Sequence, residues 1–386
     1  MRLTILVLGA ALLWPAASAT TYLVRPDGLG DFPFIQDAIN AAVNGDVIEL
    51  GDGIFAGPRN WNLDYLGKAI TIRAQSGVRG VCIIDCWNLA RGVIFQSGEG
   101  PQSRLEGVTI LNGNSAPPGY FGGGCLIQDS SPTIADCEFS YCSSQYGGGA
   151  FCGNASPTFT NCTFRENAIQ DIYGGGGGIY IQASSNVSMS GCVFESNWAA
   201  TTGGGAHVDW STAAFSGCTF SGNSCATAGA GVCAFHSQVT LVGCTLVDNE
   251  EREHGPATGV ISCYGQGVWL LNTIVAFSVR GLGVWGEASL ECCDLFGNEA
   301  GDWVGGIEGQ YGTNGNIGLD PQLCDASGGD FTLEADSPCG PDFNPDCGLI
   351  GAFGIGRADA ASVPEPPEDE PPAAAVTWGG LKAMFR

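Results

Sequence analysis

Three histidines occur in the 386-residue sequence, and one of them, His207, stands two positions before Asp209. On an extended strand such neighbours share a face, so an imidazole and a carboxylate would lie side by side, the minimum for moving a proton. Cleavage of a glycosidic bond asks for more: two carboxyl groups ~5 to 9.5 Å apart. One repeat before and one repeat after Asp209 stand Gln182 and Phe235, so no second acid accompanies it. His207 and Asp209 are therefore the catalytic candidates, set against the plainer expectation of a solvated strand face. Equivalent positions of successive repeats form two outward columns around them. One reads Leu126, Phe151, Tyr180, His207, Cys233, Ile261, Trp285, and its neighbour reads Gln128, Gly153, Gln182, Asp209, Phe235, Cys263, Glu287. Aromatic faces beside amides and carboxylates suit sugars, whose C–H faces pack on rings while their hydroxyls take hydrogen bonds. Phe151, Tyr180, Gln182, His207, Asp209 and Trp285 are thus the expected ligand-binding residues. The competing explanation is that aromatic residues follow from sheet propensity alone.

Other chemistry has thinner support. Asp342 and Asp346, with Asn344 between them, could offer oxygen ligands to Ca²⁺, but the EF-hand spacing is missing and an ordinary turn is the better expectation. No other cofactor or metal is expected. Cys292-Cys293 and the periodic cysteines lack histidines at zinc spacing. The glycine run 174–178 does not open a helix carrying Lys-Ser/Thr, which argues against a phosphate cradle.

The elements that position these residues repeat. Glycine-rich anchors end at Gly124, Gly149, Gly178, Gly205, Gly231, Gly259 and Gly283, 24 to 29 residues apart. In the same period an apolar residue precedes a cysteine by three and another follows it by two, as in Phe159-Cys162-Phe164 and Phe215-Cys218-Phe220. Asparagine follows at Asn114, Asn167, Asn197, Asn223, Asn249 and Asn298. Alternating short runs read as strands with one buried face, separated by turns. Two or three such strands in ~26 residues cannot bury that face alone and must stack as coils of a solenoid, with like residues in vertical files. A propeller blade would need ~40 to 50 residues. Cysteines and phenylalanines should line the inside, and an asparagine ladder should stand at a bend, where a left-handed backbone is tolerated. At the start, Ile35, Ala38, Ile39 and Ala42 mark a helical stripe that can cover the first coil.

The trailing Phe-x-x-Asn of Phe164 to Asn167, Phe194 to Asn197 and Phe220 to Asn223 resembles the repeats of polymorphic outer-membrane proteins. With the opening Val24-Arg25-Pro26-Asp27-Gly28 and Ile35-Gln36-Asp37-Ala38-Ile39, the chain resembles the pectin-lyase-like right-handed parallel β-helix superfamily over residues 20–355. The resemblance implies an all-β, right-handed parallel β-helix with an N-terminal capping helix. It leaves function open, because that fold hosts lyases, hydrolases, esterases, epimerases and adhesins. The Gly-His-Gly and paired aspartates of polygalacturonases are absent, as are the Gln-Asp-Thr-Leu-like and Asp-Phe-Ile-Phe-Gly-like segments of pectin methylesterases. Pectate lyases use an arginine base beside calcium-binding aspartates, and Arg165 and Arg280 stand as isolated candidates without an acidic cluster.

Composition bounds the partners. With 39 acidic and 14 basic side chains, the net charge is −25 and Lys68 and Lys382 are the only lysines, which excludes a polyanion such as nucleic acid. Residues 1–19 carry Arg2, an apolar run and a closing Ala17-Ser18-Ala19, a signal-peptide pattern too short to span a bilayer. A secreted or cell-surface address follows, in a compartment where disulfides persist. Residues 320–348, with Cys324, Cys339 and Cys347, read as a disulfide-tied closing cap. Residues 356–376 read as a Pro/Glu-rich linker, and residues 377–386 as a sorting or anchoring tag. The expectation is a monomeric, non-catalytic, adhesin-like protein that binds polysaccharide or cell-surface glycans, with a polysaccharide lyase or glycoside hydrolase as the alternative.

Overall fold

The computed structural model describes residues 19–115, 120–169, 174–252, 258–265 and 267–356. The expected signal sequence up to Ser18, the linker beyond Gly356 and the C-terminal tag lie outside the described residues. Each coil begins with a short strand such as Thr158–Thr160, turns at one left-handed residue, and continues into a second, such as Thr163–Arg165. The turn falls on Asp136, Asn161, Gly191 and their equivalents, at φ near +50° to +60°, where only Gly, Asn and Asp sit at little cost. A third strand, such as Ile179–Gln182, completes the coil. Stacking gives three parallel sheets of 11, 10 and 9 strands, here called A, B and C in the order the chain visits them, and a small fourth sheet of two-residue strands between B and C.

The inner faces fill with files of identical residues. Phe139, Phe164, Phe194 and Phe220 stack with centroids 5.2, 4.8 and 4.6 Å apart. Cys137, Cys162, Cys192, Cys218, Cys244 and Cys293 are buried thiols, each donating at 3.2–3.6 Å to the carbonyl two residues earlier. A thiol is small, apolar and a weak donor, which suits this corner. Thr273 keeps the same bond through its hydroxyl at 3.0 Å. Asn167, Asn197, Asn223 and Asn249 form the ladder, each amide nitrogen donating to the next side-chain oxygen at 2.8–3.0 Å. Asn114 is not in that file: Gly113 holds the equivalent place and donates its N–H to Cys142 Sγ, leaving Asn114 one residue further along.

The helix Ile35–Ala41 closes the start, burying Ile35, Ala38 and Ile39, with Ala42 buried just beyond. The other end differs from expectation. Residues 301–318 lie on the last coil, with Ile307 buried and Ile317 bridged to Asp294. Residues 319–356 do not close the stack. They run back along the outside of sheet B as a strap, where Gly351 N–H donates to Asn272 O (2.8 Å) and Ala352 N–H to Thr245 Oγ1 (2.9 Å). Asn272 Nδ2 donates to the carbonyls of Cys347 and Leu349 at 2.8 and 2.6 Å. The physical reason is the outer face of sheet B, which presents Ile274 and Ala276 and needs the cover that Leu333 and Ile350 supply. A disulfide joins Cys347 to Cys292; Cys339 is buried and Cys324 exposed, both unbridged.

Candidate functional site

Before each sheet C strand the chain makes a left-handed turn at Gly122, Gly147, Gly176, Gly203 and Gly229. Glycine is required there by crowding as well as by φ: a Cβ on Gly203 would stand 2.7 Å from that of His207. The turn directs the residues just before it across the outside of sheet C. Phe121 and Tyr146 are bridged to one another in that ladder, followed by Gly175, Thr202 and Ala228.

The predicted outward column does stack outside the solenoid core. Phe151 and Tyr180 rings are parallel at 6.0 Å, and Tyr180 and His207 at 4.8 Å. The same rings are covered from outside. Phe121 lies 4.5 Å from Phe151, and Tyr146 lies 5.2 Å from Tyr180, leaving Phe151 wholly buried and Tyr180 6% exposed. His207 is half-buried, and its Nδ1 is 2.8 Å from the Thr202 hydroxyl. Burial pushes its titration down to about 4, so the imidazole is neutral near pH 7. Asp209 accepts a 3.3 Å bond from the Tyr180 hydroxyl, and burial moves its carboxyl upward. His207 and Asp209 therefore share a strand face as expected, but each is engaged by a separate neighbour. Gln182 is half-buried in the rung before Asp209.

The columns depart from expectation at Ile261 and Cys263. Gly231 pairs with Val260, not Gly259, so the following strand is shifted by one residue. A one-residue slip exchanges the two faces. Ile261 and Cys263 point inward and are buried, while Ser262 follows Cys233 and Tyr264 follows Phe235. Trp285 pairs with Ser262 and lies 4.7 Å from Tyr264.

This shift completes a second aromatic arrangement that sequence reasoning did not assemble. Trp210 and His236 stack at 4.4 Å, Phe235 meets His236 at 4.5 Å and Tyr264 at 6.0 Å, and Tyr264 leads to Trp285. The staircase crosses four successive coils. Trp210 is 60% exposed and Phe235 40%. Trp210 and His236 occupy the corner between sheets C and A at φ +46° and +45°, where the earlier coils use Asp129 and Asn154. A bulky residue there costs ~1 to 2 kcal/mol, and an exposed ring recovers little of that by burial. Beside the stacked pair lies a shallow depression of about 450 Å³ walled by Ser184, Asn186, Thr212 and Gln238. Asn186, Thr212 and Gln238 are exposed and in register on sheet A. The signal available in sequence was an aromatic residue just past the strand, in the slot that Asn154 fills elsewhere.

The remaining candidates do not converge. Arg165 pairs with Glu195 at 2.9 Å and Arg280 with Glu250 at 3.1 Å, so each guanidinium rests on an acid. Asp342 and Asp346 lie in successive turns, in which Phe343 and Asn344 N–H donate to Gly340 O at 3.1 Å. Among the described residues, no three His, Cys, Asp or Glu side chains gather as metal ligands, and no helix is long and apolar enough to cross a membrane.

The structure is similar to a pectate lyase, with 13% identity and a TM-score of 0.46 over 88% of this chain and 97% of that one. It is similar also to a pectin methylesterase from carrot, with 12% identity and a TM-score of 0.36 over 84% and 94%. No curated protein matches. The family model described as a right handed beta helix region matches residues 74–281, the span that carries the cysteine, phenylalanine and asparagine files, and the chain belongs to that family.

Proposed function

We propose that the protein is a non-catalytic, extracellular β-helix that holds glycans against the corner between sheets C and A. The carrying observation is the exposed Trp210–His236 stack beside the neutral polar wall of Asn186, Thr212 and Gln238. Rings supply a face for sugar C–H groups, and amides and hydroxyls supply hydrogen bonds. The net charge of −25 favours neutral glycans over polyuronates. Phe151 and Tyr180 support the platform from beneath their covering residues and do not touch ligand. The enzyme reading loses support at His207, whose ring is half-buried and bonded to Thr202, and at Asp209, which has no partner acid in the neighbouring rungs. Binding as a monomer, export and surface display are part of the same proposal, as is a sorting role for residues 377–386.

A glycan array, followed by reducing-sugar and unsaturated-product assays on the same panel, tests it. Binding of neutral glycans without product formation is the expected result. Turnover of any bound glycan would favour the lyase or hydrolase, and absence of binding across the panel would remove the glycan reading.

A further inference from the structure

A cleft separate from the aromatic corner runs between the outer face of sheet B and the strap. Val193, Glu195, Thr219, Ser221 and Asp248 line the sheet B side, and residues 326–329, Phe331 and Phe353 line the strap side, enclosing about 370 Å³. Its character is mixed. Phe331 and Phe353 lie 6.4 Å apart with nearly parallel rings, and Phe353 is 37% exposed. Glu195 is already paired with Arg165. Asp248 is exposed, and its carboxylate has no hydrogen bond or ion pair among the described residues. The cleft therefore asks for an occupant with aromatic side chains and a cation.

This chain carries one such segment close at hand. The strap's last described residue, Gly356, donates its N–H to Leu333 O at 2.8 Å, two residues along from Phe331. The chain thus departs beside the cleft. Residues 377–386 follow, with Trp378, Leu381, Lys382, Phe385 and Arg386, and the intervening stretch contains five prolines and the acids Asp359, Glu365, Glu368, Asp369 and Glu370. At ~3 Å per extended residue the span of about twenty residues is ample. A short tether raises the local concentration of its end to the millimolar range, so even a weak contact is populated. Charge selects which part docks: a body of strongly negative charge repels the acidic stretch and attracts the only basic end.

We propose that the cleft between sheet B and the strap holds this chain's own C-terminal segment, residues 377–386, with the Lys382 ammonium on Asp248 and the rings of Trp378 and Phe385 against Phe331 and Phe353. A tag stored in this way is unavailable to any sorting partner until it is released. The proposal is independent of the glycan site.

Zero-length carbodiimide cross-linking of the full chain at low concentration, read by mass spectrometry, tests it directly, because Lys68 and Lys382 are the only lysines. Lys68 is recognised by its own contacts with the carbonyls of Ile39 and Asn40. The expected product joins Lys382 to Asp248, or to neighbouring Glu195, within one monomer. The double variant Trp378→Ala/Phe385→Ala keeps the lysine and lowers that product about tenfold or more, the loss that removal of ~1.4 kcal/mol of binding gives. Cross-links confined to the acids 365–370, cross-links found only between two chains, or a yield unchanged by the double variant would each overturn it.

Discussion

Two aromatic files stand on the same side of this molecule, two to three residues apart along each coil, and they have opposite fates. Phe151, Tyr180 and His207 stack along sheet C and are roofed by Phe121, Tyr146 and Thr202. Trp210 stacks on His236 at the adjoining corner, Phe235 meets His236 edge-on, and Trp210 and Phe235 stay open. The residue types are alike, so type does not decide the role. What decides it is position in the coil, since residues before the glycine turn lie across the strand and not across the corner beyond it. Where the ladder reads Phe121 and Tyr146 the strand rings become a secondary core, and the rings at the corner, at or past the strand end, have no such cover, with Trp210 60% and Phe235 40% exposed.

The largest expected effect separates the files by stability. Phe151→Ala removes a fully buried ring and should cost about 3 kcal/mol in urea unfolding, with glycan affinity unchanged. A loss under 1 kcal/mol would mean that the roof is not packed as described.

Acid exposes the same covered file. His207 is held neutral, with its titration lowered from 6.5 to about 4. The unfolded chain takes up the proton first, so this contribution is present above pH 6.5 and is lost as pH falls from 6.5 towards 4, on the order of 2 kcal/mol. The difference between the stability–pH profiles of wild type and His207→Phe isolates it. Glu251, buried with a pKa pushed up to about 7, has the opposite sign: stability declines as pH rises from about 4.5 through 7, and Glu251→Gln should remove that decline. A His207→Phe profile parallel to wild type between pH 4 and 6.5 would show that the imidazole is solvated.

At the open file the effect moves from stability to binding. Trp210→Ala should weaken a bound neutral glycan at least about tenfold, or ~1.4 kcal/mol, measured by calorimetry, with the unfolding midpoint nearly unchanged. The smallest effect carries the most specific signature. Trp210→Asn replaces a strained indole by the residue that tolerates φ +46° and should raise stability by about 1 kcal/mol while binding falls. A stabilised variant that still binds would remove Trp210 from the site.

Much of the fold was legible in the chain. Phe164, Phe194 and Phe220, Cys162, Cys192 and Cys218, and Asn167, Asn197 and Asn223 recur at one period, and in a parallel stack each residue meets its own equivalent. The candidate site was legible only in part. Phe151, Tyr180 and His207 were placed in one column, and that column exists. Their burial was not foreseeable, because the roof comes from a different segment of the coil. Trp210 and Tyr264 were missed because one lies past the strand end and the other is brought into line only by the shift at Val260.

The sequence by itself determined that this chain coils, how long each coil is, and, outside the shifted strand Gly259–Tyr264, which residues face the inside, because those follow from a local period repeated along the chain. The tertiary structure alone decided which outer faces remain open. That depends on contacts between residues far apart, such as Asn272 with Leu349 and Thr245 with Ala352, and on a one-residue change of register that reverses a strand's two faces without altering its composition.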